Sequence, residues 1–82
     1  MKKVLIVEDD QFIREMYTLI LTKAGYEVTE ALDGKIGLGL AQEGGYDVIL
    51  LDLMMPNLDG LGFLTQLKEK PAKKKNGPII VL

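Results

Sequence analysis

Acidic side chains follow two short apolar runs of this 82-residue chain, and they are the side chains best suited to chemistry. The acids at 8–10 directly follow the run 4–7, and Asp52 directly follows the run 48–51. If the two runs form neighbouring strands, three or four carboxylates converge, and like charges that close repel one another. A divalent cation would relieve this repulsion. Oxygen ligands without His or Cys suit Mg²⁺ or Mn²⁺.

Helix and turn capping is a second interpretation of the same acids. Asp9 or Asp10 would cap a helix that begins directly afterwards, and Asp52 would begin a turn, because short acidic side chains accept hydrogen bonds from free backbone N–H groups. Strand ends are often acidic, so the spacing alone leaves both interpretations open.

The composition excludes several kinds of active site. The chain contains no Cys, His or Ser, so disulfide bonds, zinc–thiolate sites, thiol nucleophiles and Ser–His triads are excluded. Hydrophobic residues make up 48% of the chain. No apolar run is as long as a membrane span, however, and the N-terminal segment does not fit a secretory signal. We therefore expect a cytoplasmic protein without a membrane partner.

A cluster of lysines gives the C-terminal part of the chain its positive charge. Residues 1–64 contain eleven acids and five bases, whereas residues 65–82 contain one acid and five bases. A basic cluster can bind nucleic acid, but this one lacks interleaved aromatic residues. We interpret it as a solvated loop and expect no nucleic-acid partner. The cluster consists of Lys68, Lys70, Lys73, Lys74 and Lys75.

The apolar patterns predict strands and helices in alternation. Short continuous runs indicate strands buried on both faces, and apolar residues three and four positions apart indicate helices. The order β-α-β-α-β-α-β is typical of an open, doubly wound parallel α/β sheet. The predicted strands are 4–7, 27–31, 47–52 and 79–82, and the predicted helices are 11–24, 35–43 and 61–69.

Local signals add detail to three of these elements. Asp33 is expected to cap the second helix, and Gly25 to end the first. Gly37 and Gly39 should weaken the second helix. The strand 27–31 alternates and predicts a sheet edge with one wet face. The first helix should have an apolar stripe of Phe12, Ile13, Met16, Leu19, Ile20 and Ala24.

Two segments resemble the receiver domain of bacterial two-component response regulators, of the kind found in chemotaxis regulators. VLIVEDD at 4–10 is similar to the family's first strand and acidic pair, and YDVILLDLMMPNLDG at 46–60 to its third strand, acceptor Asp and following turn. ALDG at 31–34 and PIIVL at 78–82 extend the similarity over essentially the whole chain. The resemblance implies one flavodoxin-like domain over residues 1–82, with strand order 2-1-3-4.

The resemblance also implies roles for individual residues. Asp52 would be the phosphoacceptor, taking a phosphoryl group from a sensor histidine kinase or phosphotransfer protein. Mg²⁺ (or Mn²⁺) would be bound by Asp9, by Glu8 mainly through water, by Asp52 and by the backbone carbonyl of Met54. Asp10 lies beyond the acidic pair and would cap the first helix. The product would be an aspartyl phosphate, so we expect a signalling phosphoprotein and not an enzyme that turns over an ordinary substrate.

The family pattern continues past the point where this chain ends. In the family, a Thr or Ser follows strand four and a Lys ends strand five, and both contact the phosphoryl group. We therefore expect a C-terminally incomplete receiver, truncated after the fourth strand by design or by nature. An unpaired fourth strand and a first helix without its neighbour predict a homodimer or higher oligomer, formed through the strand-four edge or by segment exchange about the loop 72–77.

Other functions compete with phospho-acceptance. The main alternative is a self-associating, receiver-like fold fragment without phosphotransfer activity. A phosphatase with an Asp nucleophile is disfavoured, because Asp52 does not begin an Asp-x-Asp loop. A dinucleotide site is disfavoured because Gly37-Leu-Gly39 lies inside a predicted helix. Ile36 and Gly37 also replace the Glu-Ala usual in the family, a departure expected to leave the site unaffected.

Overall fold

Four parallel strands form one sheet in the computed structural model, which describes residues 2–51, 62–63, 65–66 and 79–81. The strands are β1 (Lys3–Val7), β2 (Glu27–Ala31), β3 (Val48–Leu51) and β4 (Ile79–Val81), and the helices are α1 (Gln11–Lys23) and α2 (Gly34–Glu43). The strand order is β2-β1-β3-β4, as predicted. The described residues within 62–66 are helical, in agreement with the predicted third helix. The rest of 61–69 and the lysine cluster lie outside the described residues.

β1 lies between β2 and β3 and is buried along almost its whole length. It pairs in parallel with both neighbours, and all four of its apolar residues, 4–7, are at most 2% exposed. Because alternate side chains of a strand point to opposite faces, this burial means that both faces of the sheet are covered at β1. The continuous apolar run therefore correctly predicted a strand at the centre of a doubly wound sheet.

The two helices cover opposite faces of the sheet. α1 reaches β2 through Arg14, which bonds Glu30, and Glu30 pairs with Ile6 of β1. α2 contacts the next residue of β1, Val7, whose side chain must point the other way. The core cluster accordingly lies on the α2 side. Its buried members are Leu5, Val7, Ala31, Leu38, Ala41, Ile49, Leu51 and Phe63.

The apolar stripe predicted for α1 is mostly exposed to solvent. Phe12 is 77% exposed, and Met16, Leu19 and Ile20 are also exposed. The residue of α1 that is buried is instead Arg14, and Thr18 and Leu21 on the same face are half-buried. Spacing identified an amphipathic helix correctly, but the face that packs on the sheet is the one that contains Arg14.

β2 is an edge strand as predicted, but it does not have one wet face. Glu27 and Glu30 are both exposed, and residues three apart in a strand point to opposite faces. The edge position explains the difference, since neither helix fully covers a strand that has a neighbour on one side only.

Both predicted N-caps are confirmed. The Asp10 carboxylate accepts a hydrogen bond from the backbone N–H of Ile13 at 3.1 Å, and the Asp33 carboxylate accepts one from Ile36 at 2.9 Å. Gly25 follows the last turn of α1 with a φ of 96°, a left-handed conformation that favours glycine. Local capping chemistry therefore determines where these helices begin and end.

Gly37 lies at the closest approach of α2 to β1. A Cβ atom at this position would lie 2.6 and 2.8 Å from the two γ carbons of Val7, whereas a Cβ at Gly39 would have no neighbour within 4 Å. Val7 is buried and β-branched, so it has little freedom to move away. Gly37 therefore packs against the residue that precedes Glu8, and the expectation that residue 37 leaves the site unaffected stays a prediction.

The two glycines of α2 should respond differently to alanine. Gly39→Ala should raise the free energy of unfolding by about 1 kcal/mol, because alanine has the higher helix propensity and its methyl group meets open space. Gly37→Ala gains the same propensity but overpacks against Val7, which typically costs about 1–3 kcal/mol. Urea unfolding followed by circular dichroism measures both. Equal stabilisation by the two substitutions would contradict the close packing at Gly37.

Candidate functional site

The pairing of β1 with β3 brings the ends of the two acid-bearing strands side by side. Val7, the last residue of β1, is the register partner of Leu51, the last residue of β3. Glu8 follows Val7, and Asp52 follows Leu51 in the sequence. Because the strands are parallel, both of them end at the carboxyl edge of the sheet, where ligands bind in sheets of this kind. The prediction that these two strands are neighbours is confirmed.

Glu8 directly follows β1, and both its backbone N–H and its carbonyl oxygen form hydrogen bonds. Its N–H donates to the carbonyl oxygen of Ala31 at 3.2 Å, and its own carbonyl oxygen accepts from Nη1 of Arg14 at 3.0 Å. Its carboxylate accepts from the backbone N–H of Asp10 at 3.2 Å. Glu8 is half-buried, so its carboxylate lies at the rim of the sheet edge and not in the core.

The structure separates the roles of the next two acids. Asp10 is the N-cap of α1, so its carboxylate is committed to the helix. Asp9 is exposed, and its carboxylate has no hydrogen bond or ion pair to any other residue in the described part of the chain. Of the two interpretations of these acids, capping therefore applies to Asp10, whereas Asp9 is available to a ligand.

Arg14 is the residue of this region whose structural role was not predicted from the sequence. Its side chain is 9% exposed and forms an ion pair with Glu30, with Nε 3.1 Å from Oε1. Burying a charge is costly unless the charge is paired and hydrogen-bonded, and Arg14 meets both conditions. One signal was present in the sequence: Arg14, Thr18 and Leu21 share a helix face.

The structure describes two of the four predicted cation ligands. Glu8 and Asp9 lie together at the sheet edge, whereas Asp52 and Met54 lie outside the described residues. Within residues 2–51 and the shorter described segments, three or more potential metal ligands do not come together. The two acids nevertheless fit a hard cation, because they offer carboxylate oxygens at a partly exposed edge and Asp9 has no competing partner there.

Acids at the opposite edge of the sheet have structural partners instead. The Asp47 carboxylate accepts from the backbone N–H of Lys3 at 2.9 Å, and the Lys3 ammonium lies 3.6 Å from Glu27. The acids at this edge are thus bound to neighbouring protein groups, whereas Asp9 at the carboxyl edge is available to a ligand.

Neither helix described here is both long and apolar enough to cross a membrane.

Comparisons with known proteins agree with this geometry. The family model of the response regulator receiver domain matches residues 4–82. The response regulator ArlR of Staphylococcus saprophyticus is 42% identical over the whole chain, which spans 36% of the ArlR length. The chain spans about a third of the length of the curated relatives it matches.

Solved receiver structures have the same fold. The receiver domain of the Francisella response regulator 1452 is 37% identical with a TM-score of 0.85, and the match covers 98% of this chain and 64% of that one. The response regulator TrrA of Thermotoga maritima, solved in complex with Mg²⁺-BeF, is 35% identical with a TM-score of 0.80, covering 87% of this chain and 62% of that one. The flavodoxin-like parallel sheet, the acids at its carboxyl edge and the match over residues 4–82 lead to one conclusion: this chain belongs to the response regulator receiver domain family.

Proposed function

We propose that this chain accepts a phosphoryl group at Asp52 in a two-component signalling system. A sensor histidine kinase or a phosphotransfer protein is the donor. The observation that carries the proposal is the pairing of Val7 with Leu51, since it sets Glu8 and Asp9 beside the strand that Asp52 follows. A cytoplasmic location is part of the proposal.

The proposed ligands of Mg²⁺ (or Mn²⁺) are the carboxylates of Asp9 and Asp52, Glu8 through water, and the backbone carbonyl of Met54. The cation would supply positive charge that offsets the repulsion between a carboxylate and the phosphoryl oxygens. TrrA was solved with Mg²⁺-BeF, which supports a cation of this kind. Backbone hydrogen bonds hold Glu8 at the end of β1, and Asp10 keeps to its helix cap, so the ligands from this turn are the two preceding acids.

The chemistry assigned to Asp52 is one displacement at phosphorus. A carboxylate oxygen of Asp52 forms a bond to phosphorus while the phosphorus–nitrogen bond of the phosphohistidine breaks, and the electron pair of that bond returns to the imidazole. The product is an aspartyl phosphate on the chain itself. The chain is in this respect a signalling domain that is modified, and not an enzyme with a released product.

Self-association is a separate part of the proposal. β4 is the last of the described strands in the sheet order, and α1 carries five exposed large apolar side chains. An edge strand presents unpaired backbone groups that a second copy can bind. We assign a homodimer to the β4 edge, by direct pairing or by segment exchange. Family membership favours phospho-acceptance over the alternative of a fold fragment whose sole property is self-association.

Cation binding should depend on Asp9. Asp9→Asn should weaken Mn²⁺ binding by at least tenfold, because the amide lacks the charge that attracts the cation, and titration followed by electron paramagnetic resonance of free Mn²⁺ measures the change. Asp47→Asn is the matched control: it removes the same charge at the opposite edge and should leave the affinity unchanged. Equal binding by wild type and Asp9→Asn would refute the ligand assignment.

Phosphorylation should depend on Asp52. With Mg²⁺ and a small phosphodonor, the intact mass should rise by one phosphoryl group in wild type and in Asp10→Asn, since asparagine also serves as an N-cap. Asp52→Asn should remain unlabelled, because it lacks the nucleophilic carboxylate. Labelling of Asp52→Asn would show that another residue is the acceptor.

Self-association should depend on concentration. Light scattering over a dilution series should give a dimer mass that falls toward the monomer mass, because the folded dimer is stabilised by mass action. Leu19→Glu places a charge on the exposed face of α1 and should not change the dissociation constant if the interface is the β4 edge. A monomer mass throughout would defeat the dimer, and a loss of association in Leu19→Glu would move the interface to α1.

A further inference from the structure

Arg14 binds both ends of the turn that carries Glu8 and Asp9. Its backbone N–H donates to the carbonyl oxygen of Asp10 at 2.9 Å. Its side-chain Nη1 donates to the carbonyl oxygen of Glu8 at 3.0 Å. The first of these bonds is the opening hydrogen bond of α1, which forms whatever the side chain at position 14, so the bond that is specific to the arginine is the one to Glu8.

The guanidinium of Arg14 is itself held in place by β2. Nε lies 3.1 Å from Oε1 of Glu30, so two donors of the planar group are fixed in two directions. A guanidinium bonded in this way retains little rotational freedom. The N–H of Glu8 also bonds Ala31, the residue after Glu30. The peptide groups on both sides of the Glu8 side chain are thus tied to the same end of β2.

We propose that Arg14 is a positioning residue for the cation site, acting through the backbone of Glu8 to hold Glu8 and Asp9 in the binding arrangement. This inference rests on the proposed function, which names these acids as ligands. Asp9 has no other anchor among the described residues, so the direction of its carboxylate depends on the backbone on either side. The Arg14 side chain fixes that backbone at Glu8, and the first hydrogen bond of α1 fixes it at Asp10.

Whether the removal of Arg14 weakens or strengthens cation binding distinguishes a positioning role from a purely electrostatic one. Arg14 carries a positive charge near the acids, so its removal should by charge alone strengthen the binding of a cation. Loss of positioning has the opposite effect, because supporting residues behind metal ligands typically contribute 10- to 100-fold in affinity. Weaker binding after removal of Arg14 therefore cannot be explained by its charge.

The test is a Mn²⁺ titration of the 82-residue chain, followed by electron paramagnetic resonance of free Mn²⁺. Arg14→Gln should weaken binding about tenfold. Lys3→Gln is the matched control, since it also removes a positive charge that is paired with a glutamate of β2, but at the opposite edge. It should bind as tightly as wild type. Arg14→Lys keeps the charge without the planar fork and should give an intermediate affinity.

Each outcome supports or overturns a separate statement. Binding by Arg14→Gln that equals or exceeds that of Lys3→Gln would overturn the positioning role and leave the proposed function intact. Wild type that does not bind Mn²⁺, or Asp9→Asn that binds equally, would overturn the proposed ligands and the positioning role with them. Circular dichroism checks folding, and if Arg14→Gln does not fold, Arg14→Lys decides: an affinity equal to that of wild type overturns the proposal, and a weaker one supports it.

Discussion

The parallel pairing of β1 with β3 aligns Val7 with Leu51, and the other described elements cover this pair or extend it. β2 and β4 add a strand on each side, and the two helices cover opposite faces. Parallel sheets need such covering, because their strands are buried on both faces and cannot leave one face to water. The same pairing brings the strand ends to a common edge, so the constraint that makes the core also makes the candidate site.

Close packing next to this pair restricts what the site can tolerate. Gly37 lies against Val7 without room for a methyl group, and Val7 directly precedes Glu8. α2 therefore supports the start of the acidic turn from one face of the sheet, and Arg14 supports it from the other. The turn is held from two sides although its acids are themselves half-buried or exposed.

Most of the fold followed from local patterns, but one helix face did not. The central strand and the caps at Asp10 and Asp33 were predicted, because continuous apolar runs and short acidic side chains have direct structural consequences. The strand order came from the family resemblance. Periodicity could not determine which face of α1 meets the sheet, since it counts apolar residues and the buried face is anchored by Arg14. The pairing of Arg14 with Glu30 is a tertiary contact between residues 16 positions apart. Roles for Asp52 and Met54 came from family resemblance and stay predictions.

The buried contacts of the two helices differ in kind, and this difference makes their attachment to the sheet depend on the solvent to different degrees. α2 packs through buried apolar residues such as Leu38 and Ala41, whereas α1 is joined through an ion pair whose glutamate is 37% exposed. Mobile ions screen a partly buried pair much less than they screen exposed charges, whereas sulfate strengthens apolar burial because it is excluded from the protein surface. Added sulfate therefore strengthens the packing of α2 on the sheet, whereas it changes much less the ion pair that anchors α1 behind the acidic turn.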